Sequence, residues 1–370
     1  MQVSKLTVKN FRNAVEETLE FDGGVNIICG ANAAGKTNLL EAVFYFAAGK
    51  SFRNCRDREL IRFGCESAEI KLEFADSAGN RRNMSAVFQK DRPRVLKVGE
   101  NRVSRLADYL GAFRAVIFTP DHLSLVKGAP ENRRRFLDLA ICQSFPRYAA
   151  ALTELNRTLA QKNAALRRPG ADRMLLEVYN ERLASLSAGV TLNRKKYVRR
   201  LESEADKFIS EMCGGRESLK TEYRTQGGDN ETLESLRDRY REVINEHAEA
   251  EIERGISLYG AHKDDFAVAI NKKSARSYGS QGQQRSAVLA LKLAEGELSA
   301  QLTGEYPVFL LDDILSELDP ARKEYILSRL EGRQVIITGC ESGIFGAYGR
   351  NSVFIEDGKI CSFNSNTAKV

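Results

Sequence analysis

Over the first 120 residues, apolar and polar positions alternate in short runs. This predicts strands at Val3–Asn10, Val25–Cys29, Ala68–Phe74, Met84–Gln89, Arg94–Val98 and Ala115–Phe118. One helix, from about Lys36 to Ala48, interrupts them, and Asp76-Ser77-Ala78-Gly79-Asn80 supplies turn chemistry. From about Pro130 the period changes to three and four. Apolar stripes run through Tyr148, Leu152, Leu155 and Leu159, then Leu176, Tyr179, Leu183, Leu186 and Val190. They continue through Tyr197, Leu201 and Phe208, and through Leu233, Leu236, Tyr240, Val243 and His247. These are amphipathic helices, with breaks at Arg168-Pro169-Gly170, Gly214-Gly215 and Gly227-Gly228. From about Gly260 the chain returns to strand and helix in alternation. Short strands are expected at Val308–Leu311, Gln334–Thr338 and Ser352–Glu356, with helices near Gln284–Leu302 and Pro320–Leu330. The expected fold is an α/β domain of mixed sheets and crossover helices, assembled from residues 1–125 and 255–370, with a helical arm inserted over 126–254.

Composition narrows the class. With 42% hydrophobic and 29% charged residues, the chain is neither collagen-like nor disordered. No run reaches about 18 apolar residues, so no membrane-spanning helix is expected. The opening residues read as a strand rather than a signal peptide, and a cytoplasmic protein without membrane partners is expected. The 7 cysteines are scattered and form no CxxC, and the 3 histidines are far apart. Free thiols, with no zinc site or disulfide framework, follow from that spacing.

Gly30-Ala31-Asn32-Ala33-Ala34-Gly35-Lys36-Thr37 fits G-x-x-x-x-G-K-[ST] between an apolar strand and a helix that continues from Asn38, the context a phosphate-binding loop requires. Its backbone N–H groups and the helix N-terminus cradle phosphate. Lys36 brings a compact charge to the β- and γ-phosphates, and the Thr37 hydroxyl can ligate Mg²⁺. A second acidic element completes such a site. Val308–Leu311 leads into Asp312 and Asp313, one carboxylate to meet the magnesium and its neighbour to orient water. About thirty residues upstream, Ser280-Gln281-Gly282-Gln283-Gln284 opens a helix as a second anion cradle. A phosphate loop in one half and a second cradle in the other invite a dimer with ATP in the seam.

In this order the motifs resemble the RecF family of SMC-like ABC-type ATPases, along nearly the whole chain. Leu6–Asn13 resembles the family's opening strand, Gly30–Asn38 with Leu39-Leu40-Glu41-Ala42 its GxNxxGKTNLLEA run, and Ser51-Phe52-Arg53 its SFR block. Val126–Pro130, Arg133–Asp138 and Tyr259–Asp265 are similar to blocks that generic ABC heads lack. The resemblance implies that Lys36 and Thr37 hold phosphates and Mg²⁺, Asp312 is the Walker B carboxylate and Asp313 takes the catalytic-base position. It places Arg12 near the phosphates, Ser280, Gly282 and Gln283 on the ATP of the other protomer, and Ser316 to Asp319 in a dimer-contacting D-loop. The implied activity is weak, DNA-stimulated hydrolysis of ATP to ADP and phosphate, timing release of an ATP-dependent homodimer from DNA at gaps. RecR and RecO are the implied partners, and loading of RecA onto single-stranded DNA the outcome, in recombinational repair, replication restart and the SOS response. Four positions depart from the pattern. Ala33 replaces a mid-loop glycine, Ala261 stands in a Pro-His-Arg block, Asp313 replaces glutamate, and Thr338 or Cys340 stands where a histidine follows Walker B. The shorter Asp313 predicts slow hydrolysis.

Charge gives the arm a candidate DNA track. Residues 126–200 carry 16 Lys and Arg against 6 Asp and Glu, whereas 201–254 carry 8 against 15. Arg194, Lys195, Lys196, Arg199 and Arg200 form the densest basic cluster, with 195/199 and 196/200 on one helical face. Sparse aromatics there favour duplex backbone contact over base stacking. Two alternatives remain open on the motifs alone: the ATPase subunit of a membrane transporter, or an ATP-binding DNA clamp that does not hydrolyse. A long-armed SMC protein fits poorly, since two helices of about 35 residues reach only about 50 Å, and a small-molecule kinase would leave the second cradle without a use.

Overall fold

The computed structural model describes every residue except 171, 230, 340–350 and 366–370. It divides into two compact units, Met1–His122 with Glu295–Val370, and Leu123–Ala294.

The first unit holds two six-stranded sheets. One is antiparallel, in the order Glu16–Glu20, Gln2–Lys9, Ser67–Ala75, Arg81–Gln89, Val95–Val98 and Asn101–Val103. Its strands bury alternate residues: Ala68, Ile70, Leu72 and Phe74 face inward, as do Met84, Ala86 and Phe88. In the first strand the alternation slips between Val3 and Lys5, where a bulge lets Val3, Leu6 and Val8 share one face. The other sheet runs Lys359–Ser365, Asn351–Glu356, Val25–Cys29, Val335–Gly339, Val308–Asp312 and Ala115–Phe118. Its pairings are parallel apart from the hairpin at its edge. The strands Val308–Asp312 and Val335–Gly339 are buried at every position, as expected of a sheet covered on both faces.

Between the sheets lies the helix Lys36–Ala48, which touches strands of both. All of its residues except Thr37 and Asn38 are buried, so it is enclosed all round rather than on one stripe, with Lys36 and Glu41 as its buried charges. Gln334 links the two sheets: it accepts from Val3 N–H (2.6 Å) and donates to the Val3 (2.7 Å) and Asp22 (2.8 Å) carbonyls.

The second unit is the arm. Its helices are Pro130–Ser144, Pro146–Leu166, Arg173–Met212, Leu233–Glu246 and Ala248–Arg254. Proline occupies the first turn of two of them, and Asp172 caps the longest by accepting from Met174 and Leu175 N–H. That helix runs 40 residues, about 60 Å. The arm is therefore one long helix flanked by shorter ones, not a pair of about 35 residues each. Its buried stripe is Leu176, Leu183, Val190, Tyr197, Leu201 and Phe208.

Between the two glycine breaks at 214–215 and 227–228 lies a strand, Leu219–Arg224, that pairs antiparallel with Asp265–Ile270. This pairing holds residues 255–294 in the arm unit, so its boundary falls at Ala294 rather than near residue 255. The Asp264 carboxylate fixes the same segment, accepting from the Thr191 (2.6 Å) and Tyr223 (2.8 Å) hydroxyls on one oxygen and Tyr240 OH (3.1 Å) on the other. Burial holds its pKa above the usual carboxylate value.

Two of the five predicted DNA-contact residues are core residues instead. Arg194 is 2% exposed, is held bidentately by Asp138 (2.8 and 2.9 Å) and donates to the Ala261 carbonyl (2.6 Å). Lys195 is buried and donates to the Gly228 carbonyl at 2.8 Å. Helical geometry turns these two inward while Lys196, Arg199 and Arg200 stay exposed. Arg199 pairs with Glu231.

Removing one partner of a buried pair strands the other charge. Arg194→Ala is expected to destabilise the protein by about 3–5 kcal/mol in urea unfolding, against less than about 0.5 kcal/mol for Arg199→Ala. Burial pushes the His262 pKa down to about 4, with Lys263, Arg134 and Lys162 adding to the effect against a hydrogen bond to the Ser257 carbonyl. A depressed folded-state pKa gives stability that is present above the unfolded value near 6.5 and lost as pH falls toward 4. Acidification from pH 7 to 5 should therefore cost roughly 1–2 kcal/mol more in the wild type than in His262→Asn, measured by urea denaturation at each pH.

Candidate phosphate and metal site

The loop Gly30–Gly35 leaves the strand Val25–Cys29 and enters the buried helix at Lys36. Its curl needs glycine at two points. A Cβ on Gly30 would lie 2.3 Å from the Ile355 carbonyl oxygen. Gly35 has φ +108° and sits against the Asn13 amide, 2.6 Å from where a Cβ would be. Ala33 also takes a left-handed conformation, φ +67°, in the place where the family pattern has glycine, so its methyl costs about 1 kcal/mol of strain.

Segments remote in sequence brace the loop. The Ala34 carbonyl accepts from Asn13 Nδ2 (3.2 Å) and from Gly358 N–H (2.9 Å), and Asn13 Oδ1 accepts from Asn38 Nδ2 (2.8 Å). Lys36 is buried with its ammonium inside the loop, donating to the Gly30 (2.7 Å) and Ala31 (2.8 Å) carbonyls.

Asp312 ends the strand Val308–Asp312 beside this loop. Its Oδ1 accepts from the Thr37 hydroxyl and the Thr338 hydroxyl, both at 2.8 Å. The Thr338 oxygen in turn accepts from Asp313 N–H at 3.0 Å. This relay follows from register, since Asp312 and Thr338 face each other across parallel strands. Burial raises the Asp312 pKa above its usual range, against the pull of the two hydroxyls. A hydroxyl and a carboxylate sharing one spot are hard oxygen donors, few in number, which suits Mg²⁺ completing its shell with phosphate and water. Among the described residues no cluster of three or more His, Cys, Asp and Glu side chains offers a metal cage.

Asp313 follows in a left-handed conformation, φ +52°, with its carbonyl accepting from the Ser316 hydroxyl (2.6 Å). Ser316 and Asp319 are exposed, and Asp319 caps the helix Pro320–Arg329 through Arg322 N–H (3.0 Å). Arg12, φ +54°, does not project freely toward the loop. Its guanidinium grips the fully buried Glu41 bidentately (2.8 and 2.7 Å) and donates to the Glu59 carbonyl (3.0 Å), because a carboxylate with no solvent contact requires a cation. Arg53 approaches the same carboxylate (3.7 Å) and donates to Asn38 Oδ1 (2.8 Å).

Ser280, Gly282 and Gln283 belong to the other unit. There the Ser280 hydroxyl accepts from Gln283 N–H (3.2 Å) and Gln283 Oε1 accepts from Ser280 N–H (2.9 Å), a reciprocal capping box at the start of Gln281–Thr303. Ser280 is exposed.

Residues 2–357 match the family model described as "RecF/RecN/SMC N terminal domain". A protein of Staphylococcus carnosus (strain TM300), "DNA replication and repair protein RecF", is 39% identical over 345 residues, spanning 91% of this chain and 93% of its own. The chain belongs to the RecF family. A solved relative, "Structure of the recombination mediator protein RecF-ATP in RecFOR pathway", superposes with TM-score 0.92 at 33% identity, covering 97% of each chain. The "SmcHead bound to the C-winged helix domain of ScpA", 16% identical with TM-score 0.58 over 99% of both chains, shares the fold.

Within that fold Thr37 and Asp312 meet directly, the Asp313 amide joins them through Thr338, and Lys36 lies in the adjoining loop. Asn13, Glu41, Thr338 and Gly358 join the site although no sequence signal gives them a role there. Asn13 and Glu41 lie inside the family-like runs, and Thr338 stands out in sequence only as a replaced histidine. Its companion candidate, Cys340, lies outside the described residues. Thr338→Val keeps the shape but leaves the buried Asp312 and the Asp313 amide each short of a partner. Unfolding in urea should show a loss of about 1–3 kcal/mol, largely restored in Thr338→Ser.

Proposed function

We propose that this protein is a DNA replication and repair ATPase of the RecF type, which binds ATP with Mg²⁺ and pairs with a second copy around the nucleotide on DNA. The observation that carries the reading is the meeting of the Thr37 hydroxyl and the Asp312 carboxylate at 2.8 Å beside a glycine loop that already encloses the Lys36 ammonium. Lys36 exchanges its two loop carbonyls for phosphate oxygens, so its charge is positioned before the ligand arrives. Thr37 and Asp312 hold the magnesium, which supplies charge neutralisation at the β- and γ-phosphates. Asp313 orients the attacking water from a strained backbone position, and its short side chain makes turnover slow.

Ser280, Gly282 and Gln283 complete the site of the second copy, where the exposed Ser280 hydroxyl at the start of the helix Gln281–Thr303 faces a γ-phosphate. Ser316 and Asp319 line the same seam. The closed dimer grips duplex DNA at gaps, with hydrolysis as the release timer, and Lys196, Arg199 and Arg200 remain the arm's candidates for backbone contact. RecR and RecO as partners, RecA loading onto adjacent single strands and a cytoplasmic setting complete the reading. The relatives' names and the head fold support it, and no described helix is long and apolar enough to cross a membrane.

Light scattering without nucleotide, with ADP and with ATP tests the central step. The wild type should pair only with ATP, Ser280→Arg should stay monomeric while still binding ATP, and a wild type that never pairs refutes the seam. Asp313→Asn should pair normally and release phosphate at least about tenfold more slowly.

A further inference from the structure

Between the phosphate-loop helix and the strand Ser67–Ala75 the chain forms a loop containing Arg53, Arg56, Arg58 and Arg62. At its tip, Arg62-Phe63-Gly64-Cys65 makes a tight turn closed by Cys65 N–H to Arg62 O (3.0 Å), with Gly64 at φ +84°. Phe63 occupies the outer corner of that turn and is fully exposed, at 101% of its reference area. Among the described residues its ring has no aromatic or cation–π partner.

The turn is anchored. Arg62 N–H donates to Asn10 O and Arg12 N–H to Leu60 O, both at 2.8 Å, and the buried Leu60 and Ile61 sit directly before it. The surrounding charge is mostly cationic, with Asp57, Glu59, Glu66 and Asp91 as its acids. Asp57 is taken by Arg94 (3.0 Å) and Glu66 by Lys90 (2.6 Å), while Glu59 turns back to accept the Arg56 amide (3.2 Å). Arg56, Arg58 and Arg62 have no ion pair among the described residues, and Arg92 lies on the neighbouring hairpin turn.

We infer that this loop is a nucleic-acid contact in which Phe63 stacks on an exposed base face, at a duplex end or an unpaired nucleotide, while Arg56, Arg58 and Arg62 hold the flanking phosphates. A single fully exposed aromatic beside three guanidiniums that form no ion pair among the described residues suits a base between phosphates better than a protein surface, whose cores are broader and apolar. The inference rests on the proposed DNA-repair reading and extends it from the backbone of duplex DNA to an unstacked base.

Binding with ATP is measured for two probes, a duplex carrying a single-stranded gap with 2-aminopurine at the junction, and a closed duplex with hairpin caps at both ends. Phe63→Ala should weaken gapped-DNA binding by about 5- to 100-fold, leave the capped duplex unchanged and abolish the fluorescence change. Phe63→Trp should retain both, and Phe63→Leu should behave like alanine. Replacing Arg56, Arg58 and Arg62 with Gln should lower the salt dependence on both probes, by about 0.9 in log–log slope for each phosphate that is no longer neutralised. Equal affinity of Phe63→Ala for gapped DNA, an equal loss on both probes, or full rescue by leucine overturns the stacking role and assigns the turn to a protein contact. A wild type that binds neither probe overturns the DNA-repair reading itself, and this inference with it.

Discussion

One hydrogen bond between a hydroxyl and a buried carboxylate ties together positions 275 residues apart, Thr37 and Asp312. Everything else in the first unit serves to make that contact possible. Two parallel strands must end at the same level to set Asp312 opposite Thr338. A helix must be buried on nearly every side, with its one carboxylate matched by Arg12, so that its first hydroxyl reaches the strand end. The carboxylate is held where its charge is costly, with two hydroxyls as the compensation. A divalent cation would offset such a cost better than a hydroxyl does, because it replaces a dipole with a double charge. The carboxylate is therefore fixed in place while its charge is only partly matched.

The same rule, that a buried charge must be matched, explains where the arm departs from its charge pattern. Arg194 is the most conspicuous cation of a basic cluster in sequence and among the least exposed in space, matched by Asp138 from another helix. Arg133 likewise leaves the surface to pair with Asp265 at 2.7 Å. The arm's core is built partly of ion pairs and tyrosine hydroxyls around Asp264, and this polar framework locks the strand Asp265–Ile270 to the helices. A positive count along the chain thus overstates the positive surface.

The nucleotide half was legible because its signals are local. The strands Val25–Cys29 and Ala115–Phe118 and the helix Lys36–Ala48 fall on the residues their patterns predict. Strands with few apolar residues escaped. Glu16–Glu20 buries only Leu19, and Leu219–Arg224 buries only Leu219, so neither shows a dependable alternation. Gly214-Gly215 and Gly227-Gly228 read as breaks between helices, although a strand lies between them. The partners of Arg194, and the Asn13 and Gly358 braces of the loop, depend on pairings across 21 to 324 residues, which no local period encodes.

The brace from Gly358 has a consequence for how the protein comes into being. The phosphate loop leaves a ribosome about 320 residues ahead of the amide that steadies Ala34 and the carbonyl that crowds Gly30. At about 5–20 residues per second, the loop waits roughly 20–70 s for them. For that interval a nascent chain carries a loop without its brace, and termination before the Gly358 hairpin leaves the loop unsupported.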